Sequence, residues 1–338
     1  MAADAAAFSW DPDANILQLR NFSVLPNESR DVTFNKARWQ GDYLTIYGAA
    51  LTIAGVRLGL MPGDSLVRIN KLTLDDIALT ASRDKRLPFR HGIEKPMPTK
   101  LVDAIPFPLK VDSIQIRHSS ITYNEFSLGT QKWSTIPIKG INGYILNVSS
   151  RNNQRDTLRL LATGQLFDAY IHHFSYGESY GDPLSFFSAK TWFSSFDLAP
   201  FSQVSVPAAA VSVTRGRADT AYANWEGNKY ATYGTMNFFY DNLRVRVLNK
   251  TDINKGGIGP TVKTWAINLL LPGERKRPSA IFFERDREKF IFNYWVKAQS
   301  SGLISTFGIK KNTTYAKLFQ KKYKQYSLPE NSMDQWMH

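Results

Sequence analysis

Apolar and polar side chains alternate along most of this chain, and that pattern restricts its fold more than any other feature. In SIQIRHSSITY, residues 113–123, Ile114 and Ile116 keep a strict period of two, and Ile121 and Tyr123 resume it out of phase. Successive side chains of a β-strand point to opposite faces, so this period indicates a strand with one apolar face. The phase break therefore needs a local explanation.

A two-residue hairpin turn at His118 and Ser119 explains the break. Antiparallel pairing around such a turn returns all four apolar side chains to one face, because directly opposed residues share a face. The same cadence predicts turns at Gly55-Val56, Asp76-Ile77, Arg215-Gly216 and, more tightly, Asp241-Asn242. Glycine suits such turns, whereas Asp76-Ile77 suits them poorly, and a β-bulge is the competing explanation there.

The recurring cadence predicts an all-β chain built as a long antiparallel meander. The intervals between its copies are irregular, which argues against a fixed-period solenoid. Further strands are expected at 136–148, 157–166, 169–176, 185–196 and 263–271. Helical periodicity is confined to TKLVDAI, residues 99–105, and to the C-terminal region. TKLVDAI lies in a proline-rich connector, which is expected to bridge two sheet segments because proline lacks a ladder donor.

Composition excludes several classes of protein. The chain has no cysteine, so disulfides and thiolate chemistry are excluded. No apolar run approaches the roughly 20 residues of a membrane-spanning helix. The net charge is +13, but eight lysines and no acidic residue lie between Glu288 and Glu330. A nucleic-acid-binding protein more often spreads its basic residues over the folded body, so no nucleic-acid partner is expected.

No catalytic or cofactor-binding motif is present, and the chain is expected not to be an enzyme. A nucleophile elbow, a Walker loop and a dinucleotide fingerprint are all missing from the sequence. The glycine-rich segment 256–259 lacks the Lys-Ser/Thr ending of a phosphate-binding loop. His172 and His173 are adjacent in a predicted strand and would point to opposite faces, which disfavours joint metal binding. We expect no metal site and no cofactor.

Three segments resemble a known family. They are SRDKRLPF with PMPTKLVDAIPFPLKVDSIQIRHSSITYNE, then YATYGTMNFFYDNLRVRVL, then FNYWVKAQSSGLISTFG. These segments resemble the C-terminal part of bacterial AsmA-like proteins, in particular the envelope forms common in Bacteroidota. The likeness runs in segments over most of residues 64–308. Its motifs are patterns of strand and turn and contain no chemical signature.

The resemblance implies a strongly curved antiparallel sheet that forms a groove, called a β-taco, followed by a short C-terminal helical segment. We therefore expect a groove over residues 1–280, with the proline-rich connector at 82–110, an amphipathic helix at 281–308 and a basic tail at 309–338. The resemblance also implies a periplasmic protein, anchored to the inner membrane by a helix upstream of this chain. The sequence is thus expected to be a section of a longer protein.

Related proteins are implicated in moving phospholipids between the inner and outer membranes, so we expect acyl chains to bind along the apolar side of the sheet. Such binding would support lipid transport or outer-membrane homeostasis and needs no catalytic group. The expected lining is Leu51, Ile53, Leu58, Leu72, Leu74, Leu79, Ile114, Ile116, Ile121, Tyr123, Val211 and Val213. The expected partners are phospholipid or another acyl lipid, a membrane surface and other envelope proteins.

Other interpretations of the pattern remain open. A one-face-apolar antiparallel sheet usually buries that face in a sandwich core. A carbohydrate- or protein-binding β-sandwich could use exposed aromatic residues such as Trp192, Trp225 or Trp265. An outer-membrane β-barrel would also show alternating strands with abundant tyrosine and tryptophan.

The C-terminal region divides into two parts. In the first, Phe290, Ile291, Tyr294, Trp295 and Ala298 fit one face of a helix that could close the end of the groove. The second is a short basic amphipathic pattern, for which a solvated tail is the alternative. Its membrane-surface candidates are Lys310, Lys311, Lys317, Lys321, Lys322 and Lys324.

Overall fold

The computed structural model describes residues 1–59, 66–150, 156–167, 169–248, 277–308 and 310–326. Its thirteen strands are Ala2–Asp11 (β1), Ile16–Leu25 (β2), Asp42–Leu58 (β3), Val67–Asp84 (β4), Leu109–Ser127 (β5), Lys132–Ser149 (β6), Thr157–Leu166 (β7), Ala169–Ser179 (β8), Phe187–Phe193 (β9), Phe196–Asp197 (β10), Val211–Gly227 (β11), Ala231–Val247 (β12) and Ser279–Glu284 (β13). Its α-helices are Arg30–Lys36 (α1), Pro98–Asp103 (α2), Ser202–Ala209 (α3), Ile291–Thr306 (α4) and Asn312–Lys322 (α5). Short 3-10 turns lie at Ala199–Phe201 and Lys324–Tyr326.

All thirteen strands belong to one sheet, in which β1 to β9 follow chain order and β11, β12 and β13 come next. The small strand β10 pairs with β11 beside this path. Every pairing is antiparallel except that of β4 with β5, which the proline-rich connector makes parallel. Within the described chain β1 and β13 each pair with one neighbour, so the sheet is open. The prediction of an all-β, mostly antiparallel meander with a short helical C-terminal region is confirmed.

The predicted hairpins at the phase breaks are wrong. β5 runs without interruption through His118 and Ser119, and its register with β6 shifts there instead. The strands β3, β4, β11 and β12 likewise continue through the four other predicted turns. Each phase break is therefore a local irregularity inside one long strand. The predicted strand at 263–271 and the glycine-rich segment 256–259 lie outside the described residues.

The irregularities in β2, β4, β5 and β6 form a line across the sheet, which we call the crease. Its members have a left-handed backbone: Asn21 (φ 47°), Asp76 (φ 50°), His118 (φ 48°) and Gly140 (φ 57°) on β2, β4, β5 and β6. The pairs Asp75–Arg117 and Ala78–Ser120 enclose the crease on β4 and β5. Because the register of β4 with β3 and with β5 is the same on both sides of the crease, these strands share the irregularity, and the alternation of each shifts by one position there. The apolar side chains on both sides of the crease thus return to one face.

The left-handed backbone of the crease gives a direct test. Asp76→Val should destabilise the fold by about 1–2 kcal/mol, because a β-branched side chain is strained at positive φ. Ala78→Val, two residues further along the same strand, is the matched control and should change stability by less than about 0.5 kcal/mol. Urea denaturation of both variants measures the difference. Equal stabilities would contradict the role of Asp76 in the crease.

The two faces of the sheet differ in chemistry. We call the face that carries Leu51, Leu74 and Ile116 the apolar face, and these three residues are directly opposed on β3, β4 and β5. The polar face carries Thr73 and Gln115, which are directly opposed to each other and precede Leu74 and Ile116 by one residue. The sheet therefore has the alternation that the sequence predicts.

At the β8–β13 end, the apolar face is covered by helix α4. Tyr294 and Ala298 are each 1% exposed and belong to the same buried cluster as Trp225 of β11, which is 0% exposed. Gly302 permits the close approach, because a Cβ atom there would lie 2.9 Å from Cγ1 of Ile281. Four of the five residues assigned to the apolar face of the helix are buried, whereas Phe290 is 42% exposed.

Helix α5 packs on the other side of the sheet. Ala316 and Phe319 are buried against Tyr233 and Phe282, whose opposed pair lies on the polar face of β12 and β13. The last strand is thus held between two helices. The expected boundary at residue 280 falls within β13, and the helix that follows begins at Ile291.

The connector between β4 and β5 crosses the apolar face and contacts the loop between β13 and α4. Met97 is 2% exposed and lies in the cluster formed by α4 and the sheet. The upstream contacts are His91 Nδ1 with Glu288 Oε2 (2.9 Å), Glu94 Oε1 with Arg287 Nη1 (2.8 Å), Lys95 N with the Arg287 carbonyl oxygen (2.8 Å), and Arg285 Nη2 with the Lys95 carbonyl oxygen (2.7 Å).

These contacts show that the sheet curves over its apolar face. Burial lowers the pKa of Lys289, which follows β13, and so do the positive charges of Arg83 and Lys85 near the end of β4. β4 and β13 are eight strand positions apart, which is about 38 Å in a flat sheet. The five residues from Glu284 to Lys289 span at most about 17 Å. A flat sheet would therefore keep these charges apart.

The connector is also fixed by a buried carboxyl group. Glu178 of β8 is 0% exposed, and its carboxylate accepts hydrogen bonds from the hydroxyls of Thr99 (2.6 Å) and Tyr176 (2.8 Å). Burial raises the pKa of Glu178 above its ordinary value of 4.5, and the hydrogen bonds from Thr99 and Tyr176 offset only part of that shift.

This raised pKa predicts a pH dependence of stability. The folded state holds the Glu178 proton more tightly than the unfolded state does. The contribution of Glu178 to the free energy of unfolding therefore falls as the pH rises from 4.5 through the raised pKa. Glu178→Gln should remove that part of the dependence, and Glu284→Gln, at an exposed position, should keep it. Urea denaturation between about pH 4 and pH 8 measures the slopes. An unchanged slope in Glu178→Gln would contradict the prediction.

Candidate functional site

The candidate site is the part of the apolar face formed by β2 to β6. Its side chains form rows across the strands, because each residue is directly opposed to the next. Below the crease the rows are Leu17–Ile53–Leu72–Ile114–Ile145 and Leu19–Leu51–Leu74–Ile116. Above the crease they are Val24–Ile46–Leu79–Ile121–Ile138 and Leu44–Ala81–Tyr123–Ile136. We call these four lines the open rows.

A second layer covers the open rows only in part. In the described residues, β2, β3 and β4 make their extensive contacts with neighbouring strands and not with a helix, whereas β6 also contacts α3 and α2. Every member of the rows is half-buried, and none is fully enclosed. Leu72, Ile114 and Ile145 pack against a small buried cluster, as does Val102 of α2. Leu51, Leu74 and Ile121 belong to no buried cluster. The sheet therefore keeps an apolar surface beside its packed end.

Nine of the twelve residues expected to line a groove lie together in these rows. They are Leu51, Ile53, Leu72, Leu74, Leu79, Ile114, Ile116, Ile121 and Tyr123. The other three lie elsewhere. Leu58 ends β3 and is 59% exposed. Val211 and Val213 lie on β11 and pack against the buried cluster of the α4 end.

The sequence reasoning missed Ile46 and Ile138, although both continue the row of Leu79 and Ile121. Ile46 follows Leu44 in the alternating segment DYLTIYG, which was the available signal. Ile138 lay inside a predicted strand, but its face depends on the irregularity at Gly140. Local alternation alone could not assign that face.

The polar face behind the rows is solvated and hydrogen-bonded. Gln115 Nε2 donates to the Tyr144 hydroxyl at 3.0 Å on neighbouring strands. At the crease, Asp75 accepts a hydrogen bond from Arg117 Nη2 at 2.9 Å and lies 3.3 Å from His118 Nδ1. The polarity difference between the two faces indicates that an apolar ligand would contact only the open rows.

Above the crease, the set of open rows is bordered by charged residues near the ends of β3, β4 and β5, and we call this border the charged end. Asp42 and Arg83 form a two-point ion pair, with Nε to Oδ1 at 2.8 Å and Nη2 to Oδ2 at 2.6 Å. Lys85 Nζ lies 2.6 Å from Glu125 Oε1, and the Tyr123 hydroxyl donates to Glu125 Oε2 at 2.9 Å. Burial, and then the charge of Glu125, raise the pKa of Tyr123. The apolar surface thus ends in two neutralised ion pairs.

A further cation adjoins this charged end and was missed by sequence reasoning. Lys289 Nζ lies 3.2 Å from the ring centroid of Phe89 in the connector. No carboxylate among the described residues lies within ion-pair distance of that amino group. Lys289 and Arg83 are about two hundred positions apart, so no local pattern could have joined them.

The C-terminal lysines differ in accessibility. Lys311, Lys317, Lys321, Lys322 and Lys324 are exposed. Lys310 is half-buried, and its amino group lies 3.3 Å from the carbonyl oxygen of Phe282. On helix α5, Tyr315 and Leu318 are 50% and 58% exposed. This helix therefore presents lysines and two apolar side chains to solvent.

Residues considered for other chemistry do not converge. Trp225 is buried, Trp192 is 48% exposed and stacks on His172 with ring centroids 4.7 Å apart, and Trp265 lies outside the described residues. Across the parts of the chain that are described, no three acidic or histidine side chains are grouped as a metal site would require. Nor is any helix there long and apolar enough to cross a bilayer.

Comparisons of the sequence with protein-family models and with curated proteins give no match. The candidate site is therefore interpreted from its own geometry and chemistry.

Proposed function

We propose that this chain binds or conducts the acyl chains of phospholipids along the open rows, without catalysis. One observation carries the proposal: the apolar rows lie on a curved sheet, are only half-buried, and end in charged residues. An amphiphile has the same division into an apolar chain and a polar head. The likeness to AsmA-like proteins supports the same function.

The rows have a suitable length for hydrocarbon. Five strands spaced by about 4.8 Å give each long row a span of about 19 Å. One leaflet of a bilayer has a hydrocarbon depth of about 15 Å, half of its roughly 30 Å core. The open rows together are thus large enough to hold a single acyl chain with its whole length on apolar side chains.

The free energy of exposed hydrocarbon explains why such a surface would serve transport. Each CH₂ group exposed to water costs about 0.8 kcal/mol, so a sixteen-carbon chain costs on the order of 12 kcal/mol. An apolar surface that contacts the chain along one side removes a large part of this cost. No group with shifted reactivity is needed, because no bond forms or breaks.

Retention of labelled phospholipid by the delipidated chain tests this function. The purified protein is freed of lipid, mixed with fluorescent phospholipid and separated from vesicles by size exclusion. We expect the label to elute with the protein at a defined stoichiometry. Elution of all label with the vesicles would contradict acyl-chain binding. A carbohydrate screen under the same conditions should show no binding.

The proposed setting is the bacterial periplasm, with attachment to the inner membrane through a part of the protein outside this chain. The resemblance supports this setting, and a curved section of sheet would extend a lipid path between two membranes. Other envelope proteins would complete that path. The proposed role of the chain in the cell is to support phospholipid transport or maintenance of the outer membrane.

We further expect the exposed lysines of α5 to contact anionic headgroups. Lys317→Gln, Lys321→Gln and Lys322→Gln together should weaken binding to phosphatidylglycerol vesicles about a hundredfold, since each lysine contributes about 1 kcal/mol near such a surface. Vesicle co-sedimentation measures this. The control combines Lys71→Gln, Lys139→Gln and Lys190→Gln, which change the charge equally on exposed sheet positions. Equal binding by the two triple variants would contradict a role for α5.

A further inference from the structure

The charged end of the open rows contains one cation more than its ion pairs neutralise. Arg83 is paired with Asp42, and Lys85 is paired with Glu125. Lys289 comes from the loop before α4 and has no such pair among the described residues; its nearest aromatic contact is the Phe89 ring at 3.2 Å. Asp286 and Glu125 favour its charged form only from a distance.

The position of Lys289 relates it to the rows. Its amino group lies on the ring of Phe89, four residues after Lys85 near the end of β4, and the charges of Arg83, Lys85 and Glu125 act on it there. Tyr123 precedes Glu125 by two residues and donates to it at 2.9 Å, which places the last side chain of the rows beside the same charged group. The contacts of residues 91–95 with residues 285–288 fix the loop that carries Lys289.

A half-buried amino group at the end of an apolar surface suits a phosphate. Charge-assisted hydrogen bonds from lysine to phosphate are about twice as strong as neutral ones. The charges of Arg83 and Lys85 are already balanced by the carboxylates of Asp42 and Glu125. Lys289 is therefore the group best placed to receive one.

We propose that Lys289 binds the phosphate of the amphiphile headgroup while the acyl chain lies on the open rows. This inference rests on the proposed function and specifies its ligand as a phosphate-bearing amphiphile. It also assigns the orientation, with the head above the crease near Tyr123 and the chain extending from there along the strands, over the successive open rows.

Two amphiphiles of equal chain length test the inference: lysophosphatidylglycerol and the uncharged monoacylglycerol, each titrated below its micelle concentration. Lys289→Gln should bind the phosphate-bearing ligand about tenfold more weakly and the uncharged ligand equally well. Lys289→Arg should restore the affinity for lysophosphatidylglycerol. Lys297→Gln, an exposed lysine of α4, is the matched control and should bind both ligands like the parent chain.

The outcomes separate the two proposals. If the parent chain binds neither amphiphile, the proposed function is wrong. If it binds both and Lys289→Gln loses nothing, or loses both equally, the headgroup role of Lys289 is wrong while acyl-chain binding stands. Inorganic phosphate alone should not displace bound lysophosphatidylglycerol. Displacement would identify the site as one for free phosphate and would overturn the amphiphile assignment.

Discussion

Leu51→Gln combined with Leu74→Gln should weaken phospholipid retention about tenfold to a hundredfold. The two leucines are directly opposed at the centre of the open rows and belong to no buried cluster. Fully burying a leucine contributes about 1.5–3 kcal/mol, and a ligand would supply part of that burial here. Because both residues are already half-exposed, the fold should tolerate the change. Titration with fluorescent phospholipid measures the loss.

The matched control uses the same two strands. Thr52→Gln combined with Thr73→Gln alters a directly opposed pair on the polar face, one position from each leucine. This control should retain lipid like the parent chain. Equal loss in both double variants would mean that the effect is one of stability, and equal retention would remove the open rows from the site.

The second large effect concerns the packed end. Trp225→Ala should destabilise the fold by about 3–5 kcal/mol, because a large side chain with no exposed surface leaves a cavity under α4. Trp192→Ala should cost about 1 kcal/mol or less, since that tryptophan is 48% exposed on the neighbouring strand. Thermal and urea denaturation measure both losses. Similar losses would contradict the assignment of the core to the α4 end.

The comparison of Trp225 with Trp192 also bears on function. Lipid retention by Trp192→Ala should equal that of the parent chain, because the residue lies away from the open rows. Retention that depends on Trp192 would instead favour an aromatic surface such as a carbohydrate-binding module uses.

The strands themselves could be predicted from local sequence. The alternation at Ile114 and Ile116 identifies β5, and the segment at 157–166 coincides with β7. The helical periodicity of Ile291, Tyr294 and Trp295 correctly assigns the buried side of α4. In each case burial follows a repeat of two or 3.6 residues, which neighbours along the chain suffice to define.

The crease could not be distinguished from hairpins in the same way. A two-residue turn and a one-residue bulge both restore the phase after His118, and histidine, asparagine and aspartate tolerate the left-handed backbone in either. What decides between them is the pairing of β4 with β5 through the connector. That contact joins strands in parallel and is invisible to a pattern that reads only local alternation.

The residues of the candidate site also fall into two groups, those that local sequence predicts and those that it does not. The apolar residues of the rows were accessible to sequence reasoning because they repeat within each strand. Lys289 and the buried Glu178 were not, because their environments are built from the connector and from strands far away in the chain. Val213 is likewise separated from the open rows because β7, β8 and β9 lie between β6 and β11 in the sheet.

Photocrosslinking tests most directly whether hydrocarbon contacts the open rows. A photoreactive benzoylphenylalanine is placed at Ile116 in one variant and at Gln115, the adjacent residue on the polar face, in another. Each is irradiated with phospholipid, and the adduct mass is measured. A lipid adduct at position 116 and none at position 115 is predicted. Adducts at both positions, or at neither while lipid remains bound, would contradict the account.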